Sequence, residues 1–303
     1  MGNICGLFGK SRQAFYKQKN INHQSALEMA IVLEKAVQIR ASQKQLGTKK
    51  LHRILSQTLQ HHKIKLGRDR FFNLLAENGM LLRKRKRKKV QTTDSNHPFK
   101  KYPNLIKELN LDRANQVWVS DITYLRLVGS KFCYLSLITD AYSRKIVGHC
   151  LHLSLAAEGP AEALKMALAS INTPGNHSLI HHSDRGSQYC SNGYIKLLHD
   201  SKIKVSMAEK GNPYENAIAE RVNGILKTEF ALDRLFKNYE TVVAVVAESI
   251  HIYNDQRPHT SCDYLTPNQA HAKQGELVRR WRNKKKKSPE SGLTVDTVNQ
   301  IQD

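Results

Sequence analysis

The 303-residue sequence predicts a mixed α/β domain with a central β-sheet, preceded by an all-helical and strongly basic region. Three observations lead to this prediction. Apolar residues recur at helical spacing through the first 82 residues. Short β-prone runs then alternate with helical patterns between residues 113 and 275. The charge changes over the same boundary, since residues 1–100 hold 22 Lys+Arg against 5 Asp+Glu, a net of +17, whereas residues 101–275 hold 19 against 17, a net of +2.

The overall composition excludes several classes of protein. Hydrophobic residues make up 40% and charged residues 24% of the chain, which excludes a wholly disordered protein. No apolar run approaches the roughly 18 residues that cross a bilayer, and no secretory signal is recognisable. The five cysteines form no CxxC pair, so we expect reduced thiols rather than a zinc site or a disulfide framework. With a net charge of +22, we expect an intracellular protein without a membrane partner, whose default partner is nucleic acid.

Four helices are predicted in the basic region, at Ser11–Gln18, Ala26–Ala41, Thr48–Leu59 and Arg68–Asn78. The last two are short, amphipathic and basic on their outer faces, which resembles a helix-turn-helix unit with one helix in the major groove of DNA. Their spacer, His61–Gly67, is long for that motif, so a plain helical bundle is the alternative. The candidate DNA-binding residues of this region are Lys49, Lys50, Arg53, Arg68 and Arg70.

A run of like charge follows this helical region. Because like charges repel and rarely pack into a core, residues 83–112 are expected to form a basic arm or linker that contacts phosphates rather than one that only aids solubility. Its candidate DNA-binding residues are Arg83, Lys84, Arg85, Lys86, Arg87, Lys88 and Lys89. The predicted organisation is thus a helical region at 1–82, the arm at 83–112, the α/β core with C-terminal helices at 113–275, and a basic, disordered tail at 276–303.

The elements of the core are predicted from runs of apolar and β-branched residues and from helical spacing. Strands are predicted at Val117–Leu125, Phe132–Asp140, Lys145–His152, Ser178–His182 and Ile203–Met207. Helices are predicted at Pro160–Ser170, Asn192–Asp200 and Asn216–Phe230.

Three acidic residues stand where such a core could present them together. Asp121 interrupts an otherwise apolar strand, where burial without a partner would be costly. Asp184 follows a strand in a segment where Gly186 permits a tight turn, and Glu220 lies on the last predicted helix with 35 residues between it and Asp184. Spacing alone is weak support, because chance gives about half such a pair in this chain.

The helix that carries Glu220 offers a more specific pattern. Asn216, Glu220, Asn223 and Lys227 recur at spacings of four, three and four residues and form one polar stripe, while apolar residues face elsewhere. Glu220 and Lys227 are two turns apart, roughly 10 Å, so a carboxylate and an ammonium group line one groove.

In these acidic residues and in the motifs around them, the sequence resembles the retroviral-integrase-like DDE transposases of bacterial insertion sequences. More narrowly, it resembles the second-reading-frame (OrfB) product of the IS3 family. The resemblance covers residues 5–275, and the Leu46–Lys89 region is similar to the family's helix-turn-helix segment and basic run. The motifs that carry it are Trp118–Leu125, Asp140–Arg144, His182–Tyr189, Gly211–Glu220 and Tyr253–His259.

The resemblance implies an RNase H-like fold, a mixed five-stranded sheet flanked by helices. It also implies that Asp121, Asp184 and Glu220 bind metal and that Lys227 contacts the DNA terminus. Carboxylates brought together repel unless a cation compensates, and hard oxygen ligands favour Mg²⁺ or Mn²⁺. Two such ions about 4 Å apart can activate an attacking oxygen and stabilise a leaving oxygen at phosphorus. The expected activity is therefore nicking of the transposon 3′ ends, followed by strand transfer.

Several other residues have two open interpretations. Asp140 either supports the site or caps a turn at the end of its strand. Arg185 and Gln188 either position phosphate or water, or belong to a turn network, and Asn216 belongs to the polar stripe of the catalytic helix. For the motif Tyr253–His259 the sequence indicates no role beyond helix packing and backbone contact.

Two other functions share these sequence features. A catalytically inactive DNA-binding regulator or remnant of an element would keep the basic region, and an RNase H-like nuclease would keep the acids without needing that region. The intact acids favour the transposase. We expect it to act on double-stranded DNA, at inverted-repeat ends and at a target, as a homo-oligomer. No long heptad helix for dimerisation is recognisable ahead of the core, and the family resemblance implies that an upstream-frame (OrfA-type) product or fusion supplies such a segment. The resemblance also implies a bacterial, cytoplasmic and nucleoid-associated protein.

Overall fold

The described part of the N-terminal region, residues 11–82, contains three helices. A computed structural model describes residues 11–82, 97–171, 178–209 and 216–278 of the chain. Helix α1 spans Arg12–Ser42, α2 spans Thr48–His61 and α3 spans Arg68–Glu77. The prediction of two separate helices at Ser11–Gln18 and Ala26–Ala41 is therefore wrong. The stretch between them contains no Gly or Pro, so nothing in the backbone chemistry stops the helix there.

A small apolar core holds these three helices together. Leu51, Leu55 and Leu59 recur at every fourth position of α2, so they lie on one face and are buried. Phe71 and Leu75 of α3 complete the same cluster, together with Val32 and Ala36 of α1. This packing leaves the opposite faces of α2 and α3 to their polar and basic residues.

The core of the chain is a six-stranded sheet. Its strands are β1 Val117–Leu127, β2 Lys131–Asp140, β3 Ile146–His152, β4 Ile180–Ser183, β5 Lys204–Met207 and β6 Leu235–Phe236. They lie in the order β3-β2-β1-β4-β5, in which β1 to β3 form an antiparallel meander and β4 and β5 join it in parallel orientation. The short β6 pairs in parallel with the end of β1, so the expectation of five strands is corrected to six.

Helices cover both faces of this sheet. They are α4 Glu158–Ala169, α5 Ser187–Cys190, α6 Asn192–Asp200, α7 Ala217–Glu229, α8 Tyr239–Asp255 and α9 Pro267–His271, with a 3-10 turn at Thr260–Cys262. On one face α7 and α8 bury residues such as Val222, Leu226 and Val246 against Leu125 and Leu135 of the sheet. On the other face a second cluster packs around Trp118. Within the described ranges, no helix combines the length and the apolar character that a membrane crossing requires.

One glycine sets how closely a helix approaches the sheet. A Cβ atom built on Gly148 of β3 would lie 2.1 Å from the carbonyl oxygen of Ala163 in α4. Real carbon–oxygen contacts do not come so close, so only glycine allows this helix–strand distance.

The helical region and the core meet at the end of α7. The backbone N–H of Gln45 donates to the carbonyl oxygen of Glu229 at 3.1 Å, and Lys50 Nζ lies 2.7 Å from Glu229 Oε1. The side chain of Lys50 is only 14% exposed. Lys50, predicted as an outward-facing DNA-binding residue, therefore points inward. Its ion-pair partner Glu229 is 179 residues away in the chain, so the sequence around Lys50 gives no sign of this contact.

Candidate active site

Asp121 lies near the middle of β1, opposite Leu137 of β2, and is half-buried. Two groups hold its carboxylate. Asn223 of α7 donates from Nδ2 to Oδ2 at 2.8 Å, and the backbone N–H of Ile122 donates to Oδ1 at 2.9 Å. The strand thus presents the acid towards α7, which supplies a fixed hydrogen-bond donor.

The surroundings raise the pKa of Asp121 to about 7. Burial is the largest cause, and the nearby charges of Asp184 and Glu220 add to it, while the hydrogen bonds from Asn223 and Ile122 work in the opposite direction. Near neutral pH a cation beside this carboxyl group would therefore have to displace a proton.

Asp184 follows β4, which is the parallel neighbour of β1, with His182 of β4 paired to Val119. The backbone N–H of Gly186 donates to Asp184 Oδ1 at 3.0 Å. A Cβ atom on Gly186 would lie 3.1 Å from that same oxygen, and the glycine has an ordinary φ of −66°. The role of Gly186 is thus to leave space beside the carboxylate, not to adopt a backbone conformation reserved for glycine.

Glu220 lies in the first turn of α7 and is exposed. Its pKa is raised by partial burial and then by the charge of Asp184. Beyond the effect of burial, Asp184 thus lies close enough to raise the pKa of both Asp121 and Glu220, although the three acids come from a strand, a loop and a helix.

The polar stripe of α7 faces β1. Beyond Asn223, Lys227 places its Nζ 4.2 Å from the centre of the Tyr124 ring, a cation–π contact. Burial lowers the pKa of Lys227, while the charge of Asp121 opposes that change. At the start of the helix, Asn216 donates from Nδ2 to the Ser120 carbonyl oxygen at 3.0 Å. The helix is thus fixed against β1 along its length, with Glu220 between these contacts.

The donor chemistry of the three acids fits a hard divalent cation, because it consists of carboxylate oxygens in a partly desolvated place. Asp121 in particular carries a carboxylate that a cation would stabilise. In the part of the chain that is described, however, no group of three or more His, Cys, Asp or Glu side chains has the geometry of a metal site. The acids are electrostatically coupled but do not converge on one point.

The structure places Asp140 in a turn instead of beside the three acids. Its Oδ1 accepts hydrogen bonds from the backbone N–H and the hydroxyl of Ser143, both at 2.7 Å, and its Oδ2 accepts one from the backbone N–H of Asn115. His271 Nδ1 lies 3.9 Å from Oδ1. Of the two interpretations of Asp140, these contacts fit the turn cap.

Arg185 and Gln188 lie in the loop and short helix after β4. The carbonyl oxygen of Arg185 is 2.8 Å from His97 Nε2. The side-chain Nε of Arg185 is buried and has no hydrogen-bond partner among the described residues. Gln188 donates from Nε2 to the carbonyl oxygen of Leu155 at 3.0 Å. Gln188 is thus tied to the protein, whereas the Nε group of Arg185 has an unused donor.

Two groups of residues around Asp121 were not singled out by the sequence. Asn223 was part of the polar stripe without a stated role, and Tyr124 showed no signal. Behind β1, Ser120 Oγ and the Tyr194 hydroxyl lie 2.6 Å and 2.9 Å from His181 Nε2, in a fully buried group. Burial lowers the pKa of His181 to about 3, so this imidazole is neutral and supports the strand without adding charge.

The remaining DNA-binding candidates of the helical region face outward. Lys49 and Arg53 of α2 and Arg68 and Arg70 of α3 are all exposed, and Arg68 Nε pairs with Asp69 at 2.8 Å. The basic run Arg83–Lys89 lies outside the described residues.

Known proteins are similar in sequence to this chain over half of its length or more. Two models of the integrase core domain match it, one at residues 112–213 and one at 201–267. The Insertion element IS600 uncharacterized 31 kDa protein of Shigella sonnei is 37% identical over 269 residues, 87% of this chain and 96% of that protein. Transposase InsF for insertion sequence IS3A of Escherichia coli K12 is 37% identical over 156 residues, 51% of this chain and 53% of that protein.

Two solved structures are similar to the chain at low sequence identity. The HTLV-2 integrase catalytic core domain in complex with magnesium has a TM-score of 0.41 at 18% identity, over 52% of this chain and 97% of that chain. A simian T-cell lymphotropic virus intasome in complex with the PP2A regulatory subunit B56 gamma has a TM-score of 0.46 at 17% identity, over 87% of this chain and 80% of that chain.

Proposed function

We infer the function from the family: this chain belongs to the IS3 family of insertion-sequence transposases and has an integrase core of RNase H-like fold. We propose that it nicks the 3′ ends of its element and transfers them to target DNA. The observation that carries this proposal is that, beyond the effect of burial, the charge of Asp184 raises the pKa of both Asp121 and Glu220. Carboxylates this close repel one another, and a bound cation would relieve that repulsion.

In this proposal Asp121, Asp184 and Glu220 hold two divalent metal ions, Mg²⁺ or Mn²⁺. When bound, the ions activate the attacking oxygen and stabilise the leaving oxygen at phosphorus. As a metal ligand Asp121 would be ionised, and the hydrogen bond from Asn223 orients one of its carboxylate oxygens. Glu220, on the exposed first turn of α7, would have to move towards the two aspartates to share an ion with them.

The DNA is proposed to lie along the basic surfaces. Lys227, held over Tyr124 two turns from Glu220, places an ammonium group where the terminal phosphates of the strand would pass. The exposed residues Lys49, Arg53 and Arg70 supply backbone contacts on the helical region. Joining two ends requires two sets of acids, so we propose a homo-oligomer on DNA, with an upstream-frame product as a further partner.

The test of the chemistry is cleavage of a labelled element end in Mg²⁺ or Mn²⁺, with the chain alone and with its upstream-frame product. Asp184→Asn should lower nicking by about a thousandfold, because it removes charge needed at the reacting phosphate. Asp200→Asn, at an exposed aspartate that ends α6, is the matched control and should nick normally. Equal nicking by wild type and Asp184→Asn would overturn the proposal, as would no nicking in either arm.

The test of the DNA surface is the salt dependence of duplex binding. Arg53→Gln and Arg70→Gln should each reduce the slope of log affinity against log salt by about 0.9, the value for one lost phosphate contact. Arg113→Gln changes an arginine that pairs with Asp112 away from α2 and α3, and it should keep the wild-type slope. Slopes that do not change in the first two variants would remove these residues from the DNA surface.

A further inference from the structure

A cavity of about 550 Å³ lies where the helical region meets the core. Four cationic residues from separate parts of the chain line it: Lys50 of α2, Arg144 after β2, Arg221 of α7 and Arg257 after α8. His259 also lines it, and none of its lining residues, all from the described ranges, is acidic. Arg257 and His259 belong to the motif for which the sequence indicated no role beyond packing and backbone contact.

The cavity is separate from the candidate active site. The lining residues Ile218, Arg221 and Ile225 of α7 fall on one side of the helix, at spacings of three and four residues. Glu220 and Lys227 each lie two positions after a lining residue, Ile218 and Ile225, and at 100° per residue they point about 160° away from it. The helix therefore separates the face that carries Glu220 and Lys227, towards β1, from a cationic face towards α2.

The cations that line the cavity also influence one another electrostatically. The pKa of His259 falls well below its usual range, first because of burial and then because of the charges of Arg257, Arg144, Lys50 and Arg221. The pKa of Lys50 falls to about 8, through burial and the charge of Arg257, although Glu229 opposes that change. Each of these groups thus experiences a positive surrounding that an anion would relieve.

Two hydrogen-bond donors of this cluster have no acceptor. Arg257 is 1% exposed and donates from Nε and Nη2 to the two oxygens of Glu229, at 2.8 Å and 2.9 Å, which leaves its Nη1 without a partner. His259 Nδ1 accepts from the backbone N–H of Ser261 at 3.3 Å, so its neutral ring carries the proton on Nε2, which is also unpartnered. Buried donors without acceptors are costly, and both belong to residues that line the cavity.

We propose that this cavity is a second anion site, which binds a phosphate group through Arg221, Arg257, His259 and Lys50. Charge, free donors and a shortage of acceptors all favour an oxyanion, and the fork of an arginine matches phosphate. The apolar wall formed by Ile218, Val222 and Ile225 leaves room for a sugar attached to that phosphate. The site lies outside the three-acid centre and does not depend on the proposed reaction.

A phosphate bound here would connect α2 to α7 and to the loop after α8. The group could be a free phosphate or mononucleotide, or one phosphate of a DNA backbone, and the chemistry of recognition is the same. In either case the ligand would strengthen the junction that Lys50 and Glu229 already form.

The test is calorimetric titration of the full chain with inorganic phosphate at constant ionic strength, without divalent metal. We expect saturable binding, weakened about tenfold in Arg221→Gln, which removes an exposed cation of the lining, and partly restored in Arg221→Lys. Arg113→Gln, the matched exposed arginine outside the cavity, should bind phosphate like the wild type. Melting curves in chloride check that all variants fold.

A short duplex and a mononucleotide then compete for the bound phosphate. Displacement by the duplex at matched phosphate concentration assigns the site to the DNA backbone, and displacement by the mononucleotide alone assigns it to a free ligand, and either result supports the proposal. The absence of saturable phosphate binding by the wild type would overturn it. So would equal affinities of the wild type and Arg221→Gln.

Discussion

Glu229→Gln tests the buried ion network that joins the helical region to the core. Glu229 ends α7 and accepts two hydrogen bonds from Arg257 and one from Lys50, while its side chain is only 12% exposed. The substitution keeps the size and shape of the side chain but removes its charge. It leaves the fully buried Arg257 guanidinium without a counter-charge.

The magnitude follows from the pKa of Glu229. Burial alone would raise it, but the hydrogen bonds and charge of Arg257, and then those of Lys50, lower it from 4.5 to about 2. At about 1.4 kcal/mol per pH unit, this difference corresponds to about 3 kcal/mol of unfolding free energy at neutral pH. Removing one partner of a buried pair typically costs about 3–5 kcal/mol, which agrees.

The pKa of Lys50 indicates that the folded protein disfavours the charged form of this lysine, although the same contact favours the charged form of Glu229. It falls to about 8, which means that burial and Arg257 disfavour the ammonium more than Glu229 favours it. The loss of unfolding free energy in Glu229→Gln is set by the carboxylate, because it accepts hydrogen bonds from two cations, Arg257 and Lys50. We expect the network to stabilise the protein through the acid, not through the lysine.

The assay is urea denaturation of wild type and Glu229→Gln between about pH 7 and pH 3. A lowered acid pKa contributes stability that is complete above pH 4.5 and is lost as the pH falls towards 2, so the difference of about 3 kcal/mol should shrink over that interval. Glu162→Gln, in an exposed pair with Lys165, is the control and should cost less than about 1 kcal/mol. A loss below 1 kcal/mol in Glu229→Gln, or a loss that is the same at both ends of the pH range, would refute the reasoning.

Two further predictions concern the core and the site. Gly148→Ala should lower the unfolding free energy by about 2 kcal/mol, because its Cβ would overlap the Ala163 carbonyl, whereas Gly193→Ala, with open space around it, should lose nothing in the same denaturation assay. Because the metal-free pKa of Asp121 is raised to about 7, Mn²⁺ affinity measured by calorimetry should fall as the pH drops below 7. Asn223→Leu, which removes a hydrogen bond to the charged form, should move that fall to higher pH, and a pH-independent affinity would contradict this assignment.

The sequence predicted the local parts of the fold well. Each predicted strand of the core appears with bounds that differ by at most two residues, because β-branched runs between turn residues specify a strand locally. The polar stripe on α7 also faces the sheet, since helical periodicity alone determines which residues share a side. The two-residue β6 carries too short a pattern to be recognised, and it exists only because β1 offers it an edge.

What the sequence missed depends on contacts between distant residues. Lys50 lies beside Lys49 and Arg53 in the chain and has the same chemistry, and only the position of Glu229 in the fold turns it inward. Likewise Arg257 pairs with Glu229, 28 residues away in the chain, and not with Asp255, the acid near it in the sequence. The ion network, and with it the cationic cavity, becomes visible only when α2, α7 and the loop after α8 are brought together.

The attachment of α2 to the last turn of α7 gives the molecule a fixed internal length. Lys50 lies in the first turn of a 14-residue helix of about 21 Å, and Glu229 lies on the same helix as Glu220, nine residues further along. The DNA-binding surface proposed on α2 and α3 would therefore be held at a constant distance from the three acids. In a protein built this way, the protein's own dimensions would set the number of base pairs between the bound DNA segment and the phosphate at which the three acids are proposed to act.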